Sequence, residues 1–179
     1  MISIEQQRAI CELHHESPHS YLGLHNLDDK WIIRNYEPFA EKLSISVSGN
    51  VYSDEGSTAS TACDGVTANV HLRIAGLTSY TTSCNGGTGA YSISSVAYSP
   101  GDSLIVYIDG EAEKAATVSE DPISNISNMD LYENRVIVRH EGADSLSIAD
   151  MSVWDSSDDA DIPFTAVDAG TDTLTLPVN

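Results

Sequence analysis

The chain has 179 residues, 41% of them hydrophobic, which is enough to bury one real core but not enough for two large domains. No uninterrupted apolar run approaches the roughly 18 to 20 residues that span a bilayer, so membrane insertion is excluded. Eight Lys and Arg against 27 Asp and Glu give a formal charge of −19 at pH 7, a field that repels phosphate backbones and excludes nucleic acid as a partner.

Residues 1–42 read as an N-terminal arm. Up to Glu41 the chain holds four of the six histidines and three of the eight basic residues, with little Gly or Thr. Ser3 with Gln6 can cap a helix over about residues 4–15 that places Ala9, Ile10 and Leu13 on one face, and Pro18 ends it. Asn26-Leu27-Asp28-Asp29 reads as a turn and Trp31-Ile32-Ile33 as a strand. Ile10, Leu13, Trp31, Ile32 and Ile33 give the arm more apolar surface than a solvated tail needs. The arm is therefore expected to act in assembly on a neighbouring copy, or else to complete an edge of its own sandwich.

Residues 43–179 read as the sandwich. Leu43, Ile45, Val47 and Val51 alternate with Ser44, Ser46, Ser48 and Asn50, the period of a half-buried strand. Asp54-Glu55-Gly56 turns the chain, and Val66, Ala68, Val70, Leu72 and Ile74 alternate again. Ala75-Gly76 returns it through Tyr80 to Cys84, Asn85-Gly86-Gly87-Thr88-Gly89 forms a turn, and Tyr91-Ser92-Ile93 is a short strand. The unbroken run Leu104-Ile105-Val106-Tyr107-Ile108 suits a central strand ending at Asp109-Gly110. Further strands are expected at 115–119, around 126–132, at 135–140, at 164–167 and at 173–176, with a brief helix after Ser147 carrying Met151 and Trp154 onto the core. Strands recurring every 8 to 14 residues between turn signals predict an all-β fold, a single antiparallel sandwich.

The three cysteines, Cys11, Cys63 and Cys84, lack the tight spacing of a zinc site. Cys63 and Cys84 flank paired strands, so they form either a disulfide or two buried thiols, and Cys11 is left over.

Two stretches resemble known families. Val47-Ser48-Gly49-Asn50-Val51-Tyr52, Val70-His71-Leu72-Arg73, Gly89-Ala90-Tyr91-Ser92-Ile93 and Gly101-Asp102-Ser103-Leu104 follow the strand order of carboxypeptidase-regulatory-like and prealbumin-type sandwiches. With Asp130-Leu131-Tyr132, Val136 to His140 and Asp158 to Ile162, residues 47–165 resemble modules of large bacterial surface proteins, which implies a stalk, spacer or adhesive unit. The second stretch, His14-His15-Glu16-Ser17-Pro18-His19-Ser20-Tyr21-Leu22-Gly23-Leu24-His25 with Trp31 to Ala40, resembles the start of the N-terminal sandwich of glycogen branching enzymes. Those enzymes work in a separate barrel for which this chain has no room, so the resemblance implies a carbohydrate-associated sandwich edge without branching chemistry.

Catalytic constellations are weak. His15-Glu16-Ser17-Pro18-His19 fits HExxH, but Pro18 breaks the helix that would bring both histidines to one face. No GxSxG elbow or phosphate loop occurs, and His71 and His140 read as ordinary strand histidines. Asp155, Asp158, Asp159 and Asp161 place four carboxylates in seven residues, rich enough in oxygen for calcium, with a solvated acidic loop as the other reading. Tyr52, Tyr80, Tyr91, Tyr98, Tyr107 and Tyr132 serve either core packing or sugar stacking, and Asn125-Ile126-Ser127 fits a glycosylation sequon.

These features predict a non-enzymatic, extracellular or cell-surface module of structural or adhesive function that self-assembles or joins neighbouring surface-protein modules, with no cofactor other than calcium. The alternative is a carbohydrate-binding module. Met1 to Arg8 lacks a basic segment leading into an apolar one, so an export signal is not expected there.

Overall fold

The structure, a computed structural model, describes residues 23–27, 30–34, 44–74, 78–99, 101–120, 122–142 and 145–176. The chain divides into two compact units, Met1–Glu41 and Lys42–Asn179.

In the first unit β1 (Gly23–Leu27) pairs antiparallel with β2 (Lys30–Arg34), Gly23 opposite Arg34 and Leu27 opposite Lys30. Trp31, Ile32 and Ile33 thus lie in a strand. Asn26 and Leu27, expected in a turn, belong to β1 instead, because the ladder continues to Leu27 and sets Asn26 opposite Trp31. The helix expected over 4–15, with Ile10, Cys11 and Leu13, lies outside the described residues, as does the HExxH-like stretch.

The second unit is the expected all-β sandwich. One layer has five strands in the order β10 (Arg135–Val138), β8 (Ala115–Glu120), β7 (Ser103–Ile108), β4 (Val70–Ile74), β5 (Thr78–Thr82). The facing layer has three, β6 (Ala90–Ala97), β3 (Ser44–Tyr52) and β9 (Leu131–Tyr132). Alternation decides what lies between them: Ile45, Val47 and Val51 of β3, Tyr91, Ile93 and Val96 of β6, Val70, Leu72 and Ile74 of β4, and Leu104, Val106 and Ile108 of β7 pack into one core. Not every pairing is antiparallel. β9 runs parallel to β3 and β10 parallel to β8, since these two short strands are consecutive yet join opposite layers.

A second core lies on the other face of the five-stranded layer. Ile105 and Tyr107 of β7 and Ala116 and Val118 of β8 are covered by Met151, Trp154, Ile162, Phe164 and Ala166. This explains the unbroken apolar run of β7, which is buried on both faces. The covering segment holds α1 (Ile148–Met151), capped by Ser147 and Asp150, and the hairpin of β11 (Thr165–Val167) with β12 (Thr173–Thr175).

Val66 departs from its expected place. It is 84% exposed and the strand begins only at Val70, because Asp64 Oδ1 accepts from the backbone N–H of Val66 and of Thr67, both at 2.7 Å, and holds that segment in a turn. β6 is longer than expected, eight residues, with a register shift against β3 between Ile45 and Val47 and Ser95 at φ 58°.

Candidate functional site

On the outward face of β3 stand Ser46, Ser48, Asn50 and Tyr52, half-buried side chains alternating with the core residues. Strand phase sends Tyr52 outward because Val51 is fully buried, and sends Tyr132 outward because Leu131 is. Val51 and Leu131 are partners in the parallel ladder, as are Tyr52 and Tyr132, so the two rings lie side by side with centroids 5.3 Å apart and planes 35° apart. Three residues beyond each ring, Arg135 Nη2 donates to Glu55 Oε1 at 3.0 Å across the end of this face. Behind it, Ser60 Oγ donates to Glu133, and Asp130 Oδ1 accepts from the Asn50 N–H at 2.8 Å. Partial burial, then the Asp130 carboxylate and Tyr132, raise the Tyr52 hydroxyl pKa above its ordinary value, so near neutral pH it is a protonated donor. The result is a two-ring apolar platform bordered by hydroxyls, carboxylates and one guanidinium.

The other tyrosines are used elsewhere. Tyr91 and Tyr107 are buried, and Tyr80 and Tyr98 pack on the first core. The residue type alone does not separate the six. The signal that separates them is phase, since Tyr52 falls in the position set of Ser48 and Asn50 while Tyr91 falls in that of Ile93.

The acidic segment is divided. Asp155 is only 3% exposed and works inward, its Oδ1 accepting from the Ser157 N–H at 2.7 Å and its Oδ2 from the Ala166 N–H at 2.9 Å. Asp158 Oδ2 accepts from the Asp155 N–H at 3.1 Å. Asp159 faces the sheet: its Oδ2 accepts from Arg73 Nη2 at 3.0 Å and from the Tyr107 hydroxyl at 2.8 Å, and the Arg73 guanidinium lies 5.1 Å from the Trp154 ring centre. Asp161 accepts from the Gly110 N–H at 2.8 Å and lies 3.5 Å from Lys114 Nζ. Burial pushes Asp155 and Asp159 toward the neutral acid, but these donors outweigh it and hold both carboxyls below their ordinary range. The four carboxylates expected to share calcium therefore do not converge. Asp159 and Asp161 instead meet Asp109, with one oxygen from each within 4.8 Å of the others. Arg73 and Lys114 stand against these three, with the His71 ring 3.5 Å from Asp109, so the group clamps the loop to the sheet.

Cys63 and Cys84 are joined by a disulfide with their Cα atoms 4.9 Å apart, tying the loop before β4 to the end of β5. His140 Nδ1 lies 3.2 Å from the Gly142 carbonyl. Asn85 Oδ1 accepts from the Gly87 and Thr88 N–H groups, which makes its glycine-rich stretch a turn. Asn125 Oδ1 accepts from the Ser46 N–H at 2.9 Å.

The family model for the alpha-1,4-glucan branching enzyme GlgB, N-terminal domain, matches residues 3–83, a little under half of the chain. Within that span the described strands are β1 to β5. The chain is a β-sandwich module. The match extends past Ala40, the last residue of the stretch that resembles branching enzymes by sequence, and includes Tyr52 but not Tyr132. A search of curated proteins and a search of solved structures gave no match.

Proposed function

We propose that this module is a non-enzymatic carbohydrate-binding unit whose ligand lies on Tyr52 and Tyr132. The paired rings carry the reading. A pyranose presents an apolar C–H face with hydroxyls around its rim, and two adjacent half-exposed rings bordered by Asn50, Asp130, Glu133 and Arg135 offer the complementary arrangement. The match to a branching-enzyme N-terminal domain supports α-1,4-glucan as the first ligand to test. Titration of the full chain with maltoheptaose, followed by calorimetry, is expected to show saturable binding. Tyr52→Ala and Tyr132→Ala are each expected to weaken it about tenfold or more, by analogy with other aromatic stacking contacts. Wild-type and variant proteins behaving alike would remove the site.

A second reading, a structural or adhesive module joining copies of itself or neighbouring surface modules, is supported by strands β5 and β10 at the two edges of the five-stranded layer. The Cys63–Cys84 disulfide supports action in an oxidising, extracytoplasmic setting for either reading. Light scattering of the full chain and of a chain lacking residues 1–41 tests self-assembly. A parent already monomeric at high concentration would end that reading.

A further inference from the structure

Between β10 and the β11–β12 hairpin, sharing only Arg135 with the border of the tyrosine platform, lies a groove of about 630 Å³. Its floor is Ile162, Pro163 and Phe164, all buried, and Val136 and the 54% exposed Leu176 line it too. In a chain with 27 Asp and Glu residues, the charged residues among the described ones lining this groove are Lys114 and Arg135. β10 is an end strand of the five-stranded layer and β12 belongs to a sheet of two, so strand edges bound the groove.

We propose that this groove binds an extended acidic peptide segment in which apolar residues alternate with carboxylates. The apolar side chains would rest on Phe164 and Ile162, a carboxylate would meet Arg135 with Lys114 adding positive charge nearby, and the backbone would extend the sheet from β10. Local charge selects the partner: among the described lining residues the charged ones are both cations, which favours a short anionic segment over a second copy carrying the full −19. The Arg135 ion pair leaves room for it, while Lys114 stays with Asp161. Arg135 is 48% exposed and its partner Glu55 is 80% exposed, and exchanging so solvated a pair for another carboxylate costs little. An open strand edge selects a peptide over a small anion, because backbone hydrogen bonds supply affinity while alternate side chains supply choice.

The full chain is titrated with acetyl-(Glu-Val)-repeat hexapeptide amide, with its Lys-Val counterpart and with octanoate, reading backbone amide NMR shifts. Saturable shifts are expected at Val136 and Leu176 with the Glu peptide only, weakening at least about threefold between low salt and ~0.5 M NaCl as screening shortens the range of the charges. Leu176→Asp, at an exposed position that folding tolerates, should abolish saturation, and Arg135→Ala should weaken it about threefold or more. Equal binding of the Lys peptide, binding of octanoate alone, shifts confined to the Tyr52 face, or no saturation with any probe would each overturn the proposal. Maltoheptaose binding by Leu176→Asp separates this outcome from the carbohydrate reading, since that variant leaves the tyrosine platform untouched.

Discussion

Asp159 is the residue on which the second core closes. It receives the Tyr107 hydroxyl and Arg73, and Arg73 in turn spans Tyr107 and Trp154, so one carboxylate ties the 155–161 loop to β4 and β7. Asp159→Ala leaves a half-buried guanidinium without its anion and is expected to destabilise by about 1–3 kcal/mol in urea unfolding. Asp158→Ala, losing a neutral-donor contact at an exposed side chain, should fall at or below the lower end of that range. Equal losses for both would show that the Arg73 pairing is not what matters. The same pairing bears on metal. Because Arg73, Lys114 and His71 already stand against Asp109, Asp159 and Asp161, millimolar calcium is expected to leave the melting temperature as it is in chelator. A calcium-dependent rise of several degrees would mean that the ion displaces Arg73 or Lys114.

Two elements carry predictions of their own. β3 passes so close to the segment before β9 that a Cβ at Gly49 would run into the backbone carbonyl of Met129, so Gly49→Ala is expected to cost about 1–3 kcal/mol, read as a lower urea midpoint. The disulfide links residues 21 apart, and reducing it should cost roughly 3 kcal/mol through loop entropy in the unfolded chain, read as a lower midpoint with reductant. An unchanged midpoint would mean that the loop is held by its other bonds, such as the one from Asn69 Nδ2 to the Ala62 carbonyl. Strands whose partners impose a clear period were legible in the sequence: β3 by alternation, and β7 by its unbroken apolar run. β8 was found despite its small and polar residues, although nothing in Ala115–Glu120 announces that Thr117 and Ser119 are buried, bonded to the Asp130 carbonyl and to Glu141. Two strands of two and four residues cannot display a period, so the crossing of β9 and β10 between layers was not legible. Neither was the tyrosine pair, since register across a parallel ladder from residue 52 to residue 132 is a long-range property. The acidic loop misled for a related reason: sequence proximity grouped Asp155 with Asp161, while their partners lie in different elements.

At the scale of the whole molecule, the charge of −19 opposes compactness, because folding concentrates mutually repelling carboxylates. Two effects of pH follow, and they act in separate windows. Lowering pH from 7 toward the isoelectric point near 4.2 removes negative charge and relieves the repulsion, which stabilises the fold. Against this stand Asp54, Asp64, Asp155 and Asp159, whose folded carboxyls titrate below their ordinary value. For Asp54 and Asp64 the cause is hydrogen bonding to Thr58 and Gly56, and to Thr67 and Val66; for Asp155 and Asp159 it is donors that outweigh burial. A group with a depressed folded pKa contributes stability that is present above its unfolded pKa, about 3.9, and is lost as pH falls through the folded value. The melting temperature is therefore expected to rise from pH 7 to about pH 5, and to fall below about pH 4 as these four carboxylates take up protons. Salt separates the two causes. Raising NaCl to ~0.5 M shortens the screening length to a few ångströms, so it should raise the melting temperature at pH 7 and do much less at pH 5, where repulsion has already eased. Calorimetric scans in dilute protein, to limit association near the isoelectric point, give both series. A melting temperature that only declines from pH 7 downward, or one indifferent to salt at pH 7, would show that self-repulsion does not limit the stability of this sandwich.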